Sequence, residues 1–153
     1  MFRIEILAIG RLKRGPFTDL AAFYRERLRT PVRITELEAR KGGTDAVRTV
    51  EEARLLLQAL PPDALVLALD ERGVNISSVD FSGLMRQARA EARPLVCIIG
   101  GADGLAADVR ARAEHLMAFG QATWPHQLVR VMLLEQLYRA ETILAGHPYH
   151  REG

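Results

Sequence analysis

A single cysteine, a single tryptophan and only two lysines mark this 153-residue sequence by what it does without. One cysteine cannot close an intrachain disulfide. Cys97 also lies inside the apolar run Pro-Leu-Val-Cys-Ile-Ile-Gly, where a thiol is expected to serve as a small buried hydrophobe. An intracellular, cytoplasmic protein is the expectation. Long apolar runs are missing too. The first ten residues, MFRIEILAIG, are interrupted by Arg3 and Glu5 and are too short and too charged for a signal peptide or a membrane span, so no membrane association is expected.

Several chemical signatures are absent as well. The cluster Gly100-Gly101-Ala102-Asp103-Gly104 has the spacing G-G-x-x-G, not G-x-G-x-x-G, and no Lys-Ser or Lys-Thr follows it. A nicotinamide dinucleotide or ATP is therefore disfavoured as ligand. There is no G-x-S-x-G elbow, and the sole thiol is in mid-strand, so a Ser- or Cys-based hydrolase lacks its parts. His147 and His150 flank Pro148, which bars them from sharing a regular helix interior. Only Glu152 stands beside them, and no metal site is expected. No internal repeat, low-complexity segment or linker is visible.

What is present is an ordinary globular composition, 48% hydrophobic and 26% charged, in residues 1–153 of one domain large enough to bury its own core. The net charge of +2 is small, but its distribution is uneven: residues 1–33 carry eight Lys or Arg against three Asp or Glu. Nineteen of the 21 basic residues are arginines, which clasp phosphates and stack on bases where lysine cannot. That excess is either codon bias or an electrostatic footprint for RNA or DNA.

Apolar spacing predicts strands at Phe2–Ile9, Val32–Leu37, Ala64–Leu69, Leu95–Ile99 and Leu116–Phe119. Helices are predicted at Phe17–Arg29, Ala46–Leu60, Val79–Ala92, Ala106–Glu114 and Leu128–Leu144, with Pro31 and the pair Pro61-Pro62 as stops. Strand and helix alternate, and Ala-Leu-Val-Leu-Ala-Leu and Leu-Val-Cys-Ile-Ile are apolar without alternation. Such strands are buried on both faces, so the fold class is α/β with a mostly parallel sheet covered by helices. Three loops follow the most apolar strands: Asp-Glu-Arg-Gly-Val after Leu69, the glycine cluster after Ile99, and Gly-Gln-Ala-Thr-Trp-Pro-His after Phe119. Ligands of open α/β sheets bind where such loops meet, so these are the candidate site.

The last helix is apolar on nearly every side of its first two turns, interrupted only by Arg130, which predicts cover by a second copy of the chain. A buried Arg130 must find an anion, either inside the fold or on a substrate. Glu135 and Arg139 stand four apart in the order that favours an ion pair.

The segments Phe-Gly-Gln-Ala-Thr-Trp-Pro-His-Gln-Leu-Val-Arg-Val (119–131) and His-Pro-Tyr-His-Arg-Glu (147–152) are more specific. With Ile-Leu-Ala-Ile-Gly-Arg-Leu-Lys, Leu-Ala-Leu-Asp-Glu-Arg-Gly and Ile-Ile-Gly-Gly-Ala-Asp-Gly, they make a chain that closely resembles the RlmH family. These are small SPOUT-class methyltransferases acting on N3 of a pseudouridine in the large-subunit (23S) ribosomal RNA. The resemblance implies a SPOUT-type sheet with a C-terminal deep trefoil knot, a homodimer built across it, and S-adenosyl-L-methionine as cofactor. On matching positions it implies cofactor contacts at Leu69, Gly100, Phe119, Gly120, Gln121, Ala122, Thr123 and Trp124. Ala102-Asp103 fill the middle of the glycine loop, which varies among relatives, and Trp124 stands where Leu or Phe is expected in them; both departures from the pattern fall where contact is through backbone.

Methyl transfer from a sulfonium needs no metal. It needs alignment and a way for the attacking nitrogen to shed its proton, for which His126, Arg130, Tyr149, His150 and Arg151 are the candidates. Unpaired bases of an RNA loop, which the resemblance implies are presented by ribosomal RNA in the assembled ribosome, stack on such aromatics. A nucleotide- or RNA-binding α/β module without catalysis is the alternative, and it would have no need of His, Tyr and Arg together beside a ligand pocket.

Overall fold

The computed structural model describes residues 2–151 and contains five strands and five α-helices in strict alternation. In chain order these are β1 (Ile4–Ile9), α1 (Pro16–Arg25), β2 (Val32–Leu37), α2 (Asp45–Ala59), β3 (Leu65–Val74), α3 (Ser78–Ala90), β4 (Leu95–Ile99), α4 (Ala107–Arg112), β5 (His115–Met117) and α5 (His126–Ala145). The strands form one sheet in the order β2-β1-β4-β3-β5 with every pairing parallel. The expected alternation of strand and helix and the expected parallel sheet are both observed.

The absence of alternation in β3 and β4 has its cause in two packed faces. Ile4, Ile6, Leu65, Leu67, Leu95 and Cys97 pack toward α1, α3 and α5. Their sequence neighbours Leu7, Ile9, Val66, Ala68, Val96 and Ile98 pack toward α2 and α4. Side chains of a strand alternate between faces, so a strand covered on both must be apolar throughout. Cys97 is one of these core residues, and loss of hydration pushes its thiol up to about 12. No helix among the described residues is long and apolar enough to cross a membrane.

Local signals place the helices. Thr44 and Ser77 each accept a hydrogen bond from the backbone N–H three residues on, capping α2 and α3, and Pro16 opens α1. Several boundaries differ from expectation, most by one or two residues. The helix expected to reach Arg29 ends at Arg25, because the backbone of Arg29 and Thr30 is turned to donate to the Glu141 carboxylate at 2.7 and 2.9 Å. The strand expected to end at Leu69 runs on to Val74, and Leu69 and Val74 both pair with Met117 across a bulge. Gly73 permits this, since a Cβ there would stand 2.6 Å from the Met117 backbone. The final strand is only His115–Met117, and the last helix starts at His126 rather than Leu128.

Helix α5 lies between α1 and α3 on one face of the sheet and buries Val131, Leu133, Leu134, Leu137 and Ala140. Leu128, Val129 and Met132 in its first turns remain partly exposed. Two polar clamps tie it to the start of the chain. Arg130 donates to Glu36 Oε2 at 2.6 Å and to the Gly10 carbonyl at 3.2 Å. Glu141 accepts from Arg29 N, Thr30 N and Thr30 Oγ1.

Candidate functional site

The carboxyl ends of β3, β4 and β5 open into a cavity of about 460 Å³, of the size that takes a small cofactor. The three loops singled out in the sequence supply its walls. The segment 70–73 is a strand bulge rather than a free loop, and it is braced by Asp70, whose carboxylate accepts the Arg72 N–H at 2.9 Å. The turn after β4 is tight: Gly104 N donates to the Gly101 carbonyl at 3.1 Å, and a Cβ on Gly100 would stand 2.9 Å from Leu105 Cδ2. The segment from Phe119 to Trp124 is closed on itself by the indole N–H of Trp124, which donates to the Phe119 carbonyl at 2.8 Å.

Of the residues expected to meet a cofactor, Leu69, Gly100, Phe119, Gly120, Ala122, Thr123 and Trp124 line this cavity. Gln121 is on the same loop, is exposed, and does not line it. His126, the first residue of α5, stands at the cavity wall. The cavity also has lining that sequence reasoning did not assign, notably Asp70, Glu71, Arg72 and Asp103. Asp70, Glu71 and Arg72 lie in the Asp-Glu-Arg-Gly segment, whose sequence predicts a loop and assigns its side chains no role.

The electrostatics of the cavity follow from those groups. The lining includes three carboxylates, Asp70, Glu71 and Asp103, and one guanidinium, Arg72, which is 3.3 Å from Asp70 Oδ2. Asp103 is held from outside by Arg48 of α2, whose Nε and Nη2 reach Oδ2 at 2.9 and 2.8 Å. Behind the glycine turn lies Glu52, 6% exposed, where burial first and the Asp103 charge second raise its carboxyl pKa, with Arg48 offsetting part of the rise. An acidic, backbone-rich wall suits a ligand carrying positive charge and repels a polyphosphate. Among the described residues no group of three or more His, Cys, Asp or Glu is placed to hold a metal ion.

The other candidate residues lie elsewhere in the chain. Arg130 is 4% exposed and pairs with Glu36, so of its two possible anions the structure shows the internal one. Burial by itself would raise the Glu36 pKa, but the hydrogen bonds from Arg130 and Leu12 N–H and the charges of Arg130 and Arg11 outweigh it and hold the carboxyl below the usual range. Past Gly146, which takes the left-handed conformation at the end of α5, the chain folds back along the helix. Tyr149 donates to Glu135 Oε1 at 3.0 Å, packs edge-on against Tyr138 at 4.6 Å, and lies under the Arg139 guanidinium. Burial and the bond to Glu135 push its phenol up to about 12. Arg139 also meets His150 Nδ1 at 3.2 Å and pairs with Glu135 at 2.6 Å as the spacing predicts. Arg151 is exposed. Nine residues of helix, about 13 Å, separate His126 from Glu135, and Tyr149, His150 and Arg151 do not line the cavity of their own chain.

The fold and the cavity define an α/β protein that holds a ligand where the strands end. The chain belongs to the SPOUT methyltransferase family, whose description is predicted SPOUT methyltransferase and which matches residues 2–150. It is similar to the ribosomal RNA large subunit methyltransferase H of Rhodospirillum centenum, 51% identical over 152 residues that span 97% of this chain and 99% of that protein. The protein of the same name from Rhodopseudomonas palustris is 44% identical over 158 residues, with 97% and 99% covered. A solved structure of a probable methyltransferase from Bordetella pertussis Tohama I shares the fold at a TM-score of 0.60, covering 90% of this chain and 95% of that one at 14% identity. The family inferred from the Trp-Pro-His and His-Pro-Tyr-His segments is the one these comparisons show.

Proposed function

We propose that this chain is a ribosomal RNA methyltransferase that moves the methyl group of S-adenosyl-L-methionine to N3 of a pseudouridine in the large-subunit RNA. The cavity carries this reading. It is walled by backbone of the glycine turn and of Phe119 to Trp124, by apolar Leu69, Ile99 and Leu105, and by three carboxylates. That donor set fits a purine, a thioether-like chain and a cationic sulfonium, and its three carboxylates outnumber the one cation, Arg72, that could meet a phosphate. Leu69, Gly100 and the 119–124 loop would hold the cofactor, which when bound supplies a methyl already activated for transfer.

The chain's own work is alignment and proton removal. His126 at the cavity wall is the candidate to take the N3 proton, directly or through water. Arg130 acts through it as a positioning residue, fixing the first turn of α5 against Glu36 and Gly10. Tyr149, His150 and Arg151 meet the target base from a second copy, because the tail lies too far along α5 to serve its own cavity. A homodimer over the partly exposed first turns of α5 supplies that geometry. The placement of β5 at the sheet edge, with α5 returning beneath β1 and β4, supports the knotted path that the family resemblance implies.

The deciding experiment is mass spectrometry of ribosomal RNA from cells with and without the gene, beside calorimetry of the purified protein. One methyl should be lost from the large-subunit RNA, and S-adenosylmethionine should bind where ATP with magnesium does not. An unchanged RNA, or ATP binding of comparable strength, refutes the proposal.

A further inference from the structure

The eight cations of residues 1–33 look like one basic region in the sequence, but the fold divides them between the two ends of the sheet. Arg25 ends α1, Arg27 and Arg29 lie on the connection to β2, and Arg33 is the second residue of β2, all at the end of the sheet where strands begin, opposite the cavity. Arg3, also at a strand start, pairs with Glu5. Arg11, Lys13 and Arg14 instead sit on the loop leaving β1, at the end where the cavity opens.

That loop is held in place. Gly10 N donates to the Leu37 carbonyl at 2.8 Å, Leu12 N donates to Glu36 Oε2 at 2.7 Å, and Arg130 reaches the Gly10 carbonyl at 3.2 Å. The loop also abuts the site, since a Cβ built on Gly10 would stand 4.0 Å from His126 Nε2. Its cations are nevertheless exposed. Arg11 has one loose contact at 3.8 Å to Glu38 with 77% of its side chain open, and no ion pair is formed by Lys13 or Arg14 among the described residues. A pinned backbone that presents unneutralised cations beside an acidic cavity suits a polyanion that lies across the lip while a neutral group enters the hole.

We infer that the loop 10–15 is a phosphate-clamping lip: Lys13 and Arg14, with Arg11, hold the backbone of the RNA whose base enters the cavity, while the cations at the other end of the sheet take no part. The inference rests on the proposed reading that RNA is the substrate. Its test compares two variants of equal charge, Lys13→Gln with Arg14→Gln at the lip and Arg29→Gln with Arg33→Gln at the far end.

Binding is titrated against large ribosomal subunits from cells lacking the enzyme, at several salt concentrations, without reference to methyl transfer. Each lost phosphate contact lowers the salt slope by about 0.7 to 0.9, so the lip pair should lower it by about 1.5 and weaken binding at least tenfold. The far pair should stay within twofold of wild type. Both should keep wild-type affinity for S-adenosylmethionine and unfold at wild-type temperature. If the lip pair does fold poorly, each single substitution carries the same test at half the slope change. Equal weakening by both pairs, or none by the lip pair, overturns the inference. A wild-type protein that binds the subunits but transfers no methyl would overturn the proposed activity and leave the lip standing.

Discussion

Replacing Arg130 by methionine removes a guanidinium and keeps most of its volume, so the experiment isolates the clamp between α5 and the sheet. Three polar groups change their surroundings. The Arg130 charge disappears from a site only 4% exposed, Glu36 loses its 2.6 Å partner, and the Gly10 carbonyl loses a donor at 3.2 Å. Breaking a fully buried ion pair costs about 3–5 kcal/mol, but the Glu36 side chain is 34% exposed and can rehydrate, so about 2 kcal/mol is the expected loss. For a domain of this length that is a fall of roughly 4–8 °C in Tm at neutral pH.

The pH dependence supplies a second reading of the same clamp. The folded-state pKa of Glu36 lies below its ordinary value of 4.5. Its contribution to stability is therefore fully present above that value and is lost as pH falls through the lower folded pKa. Wild type and Arg130→Met should differ most near pH 7, and the gap should narrow on acidification below about pH 4.5. Thermal unfolding followed by circular dichroism between pH 3 and 7 measures both quantities. A shift under 2 °C at neutral pH, or a gap that stays constant into acid, refutes the account.

Glu141→Ala should cost about 2–4 kcal/mol in urea unfolding, because two backbone N–H groups and the Thr30 hydroxyl lose their shared acceptor, and Glu141→Gln should recover part of it. Gly100→Ala should weaken S-adenosylmethionine at least tenfold by calorimetry, since the new methyl meets Leu105 at 2.9 Å and must displace the turn that walls the cavity; unchanged affinity would place the cofactor elsewhere. Deleting residues 149–153 should lower methyl transfer to ribosomes at least a hundredfold while cofactor affinity holds, with a stability loss of only about 1 kcal/mol from the Tyr149 contacts. Near wild-type transfer by the truncated protein would reduce the tail to a cover for α5.

The boundaries legible in the sequence were those set by local chemistry. Pro31 and Pro61-Pro62 bar continuation of a helix whatever surrounds them, and the doubly buried β3 and β4 announce themselves through uninterrupted apolar runs. The misplaced boundaries depend on remote partners. Asp-Glu-Arg-Gly has the composition of a turn, and only the approach of Gly73 to the Met117 backbone keeps it in the sheet. The end of α1 is set by a carboxylate 111 residues away. At the site, the three strand ends pointed to the cavity because loops after parallel strands converge by geometry. The partner of Arg130 was not legible, since Glu36 lies 94 residues off on an edge strand. The Glu135 and Arg139 pair was legible from its spacing, but that it is also the seat of Tyr149 depends on how the chain turns back after Gly146.

The two clamps on α5 set an order of events for a chain made from its first residue onward. Strands β1 and β2 and helix α1 emerge early, yet their connecting turns are fastened by Arg130 and Glu141, which come 94 and 111 residues later. Closing such long loops is entropically slow, so a nascent chain ending before residue 141 holds its first quarter only loosely. The lip beside His126 belongs to that quarter. The loop 10–15 and the cavity at the strand ends thus become rigid in one late step, and an incomplete chain presents neither in its final form.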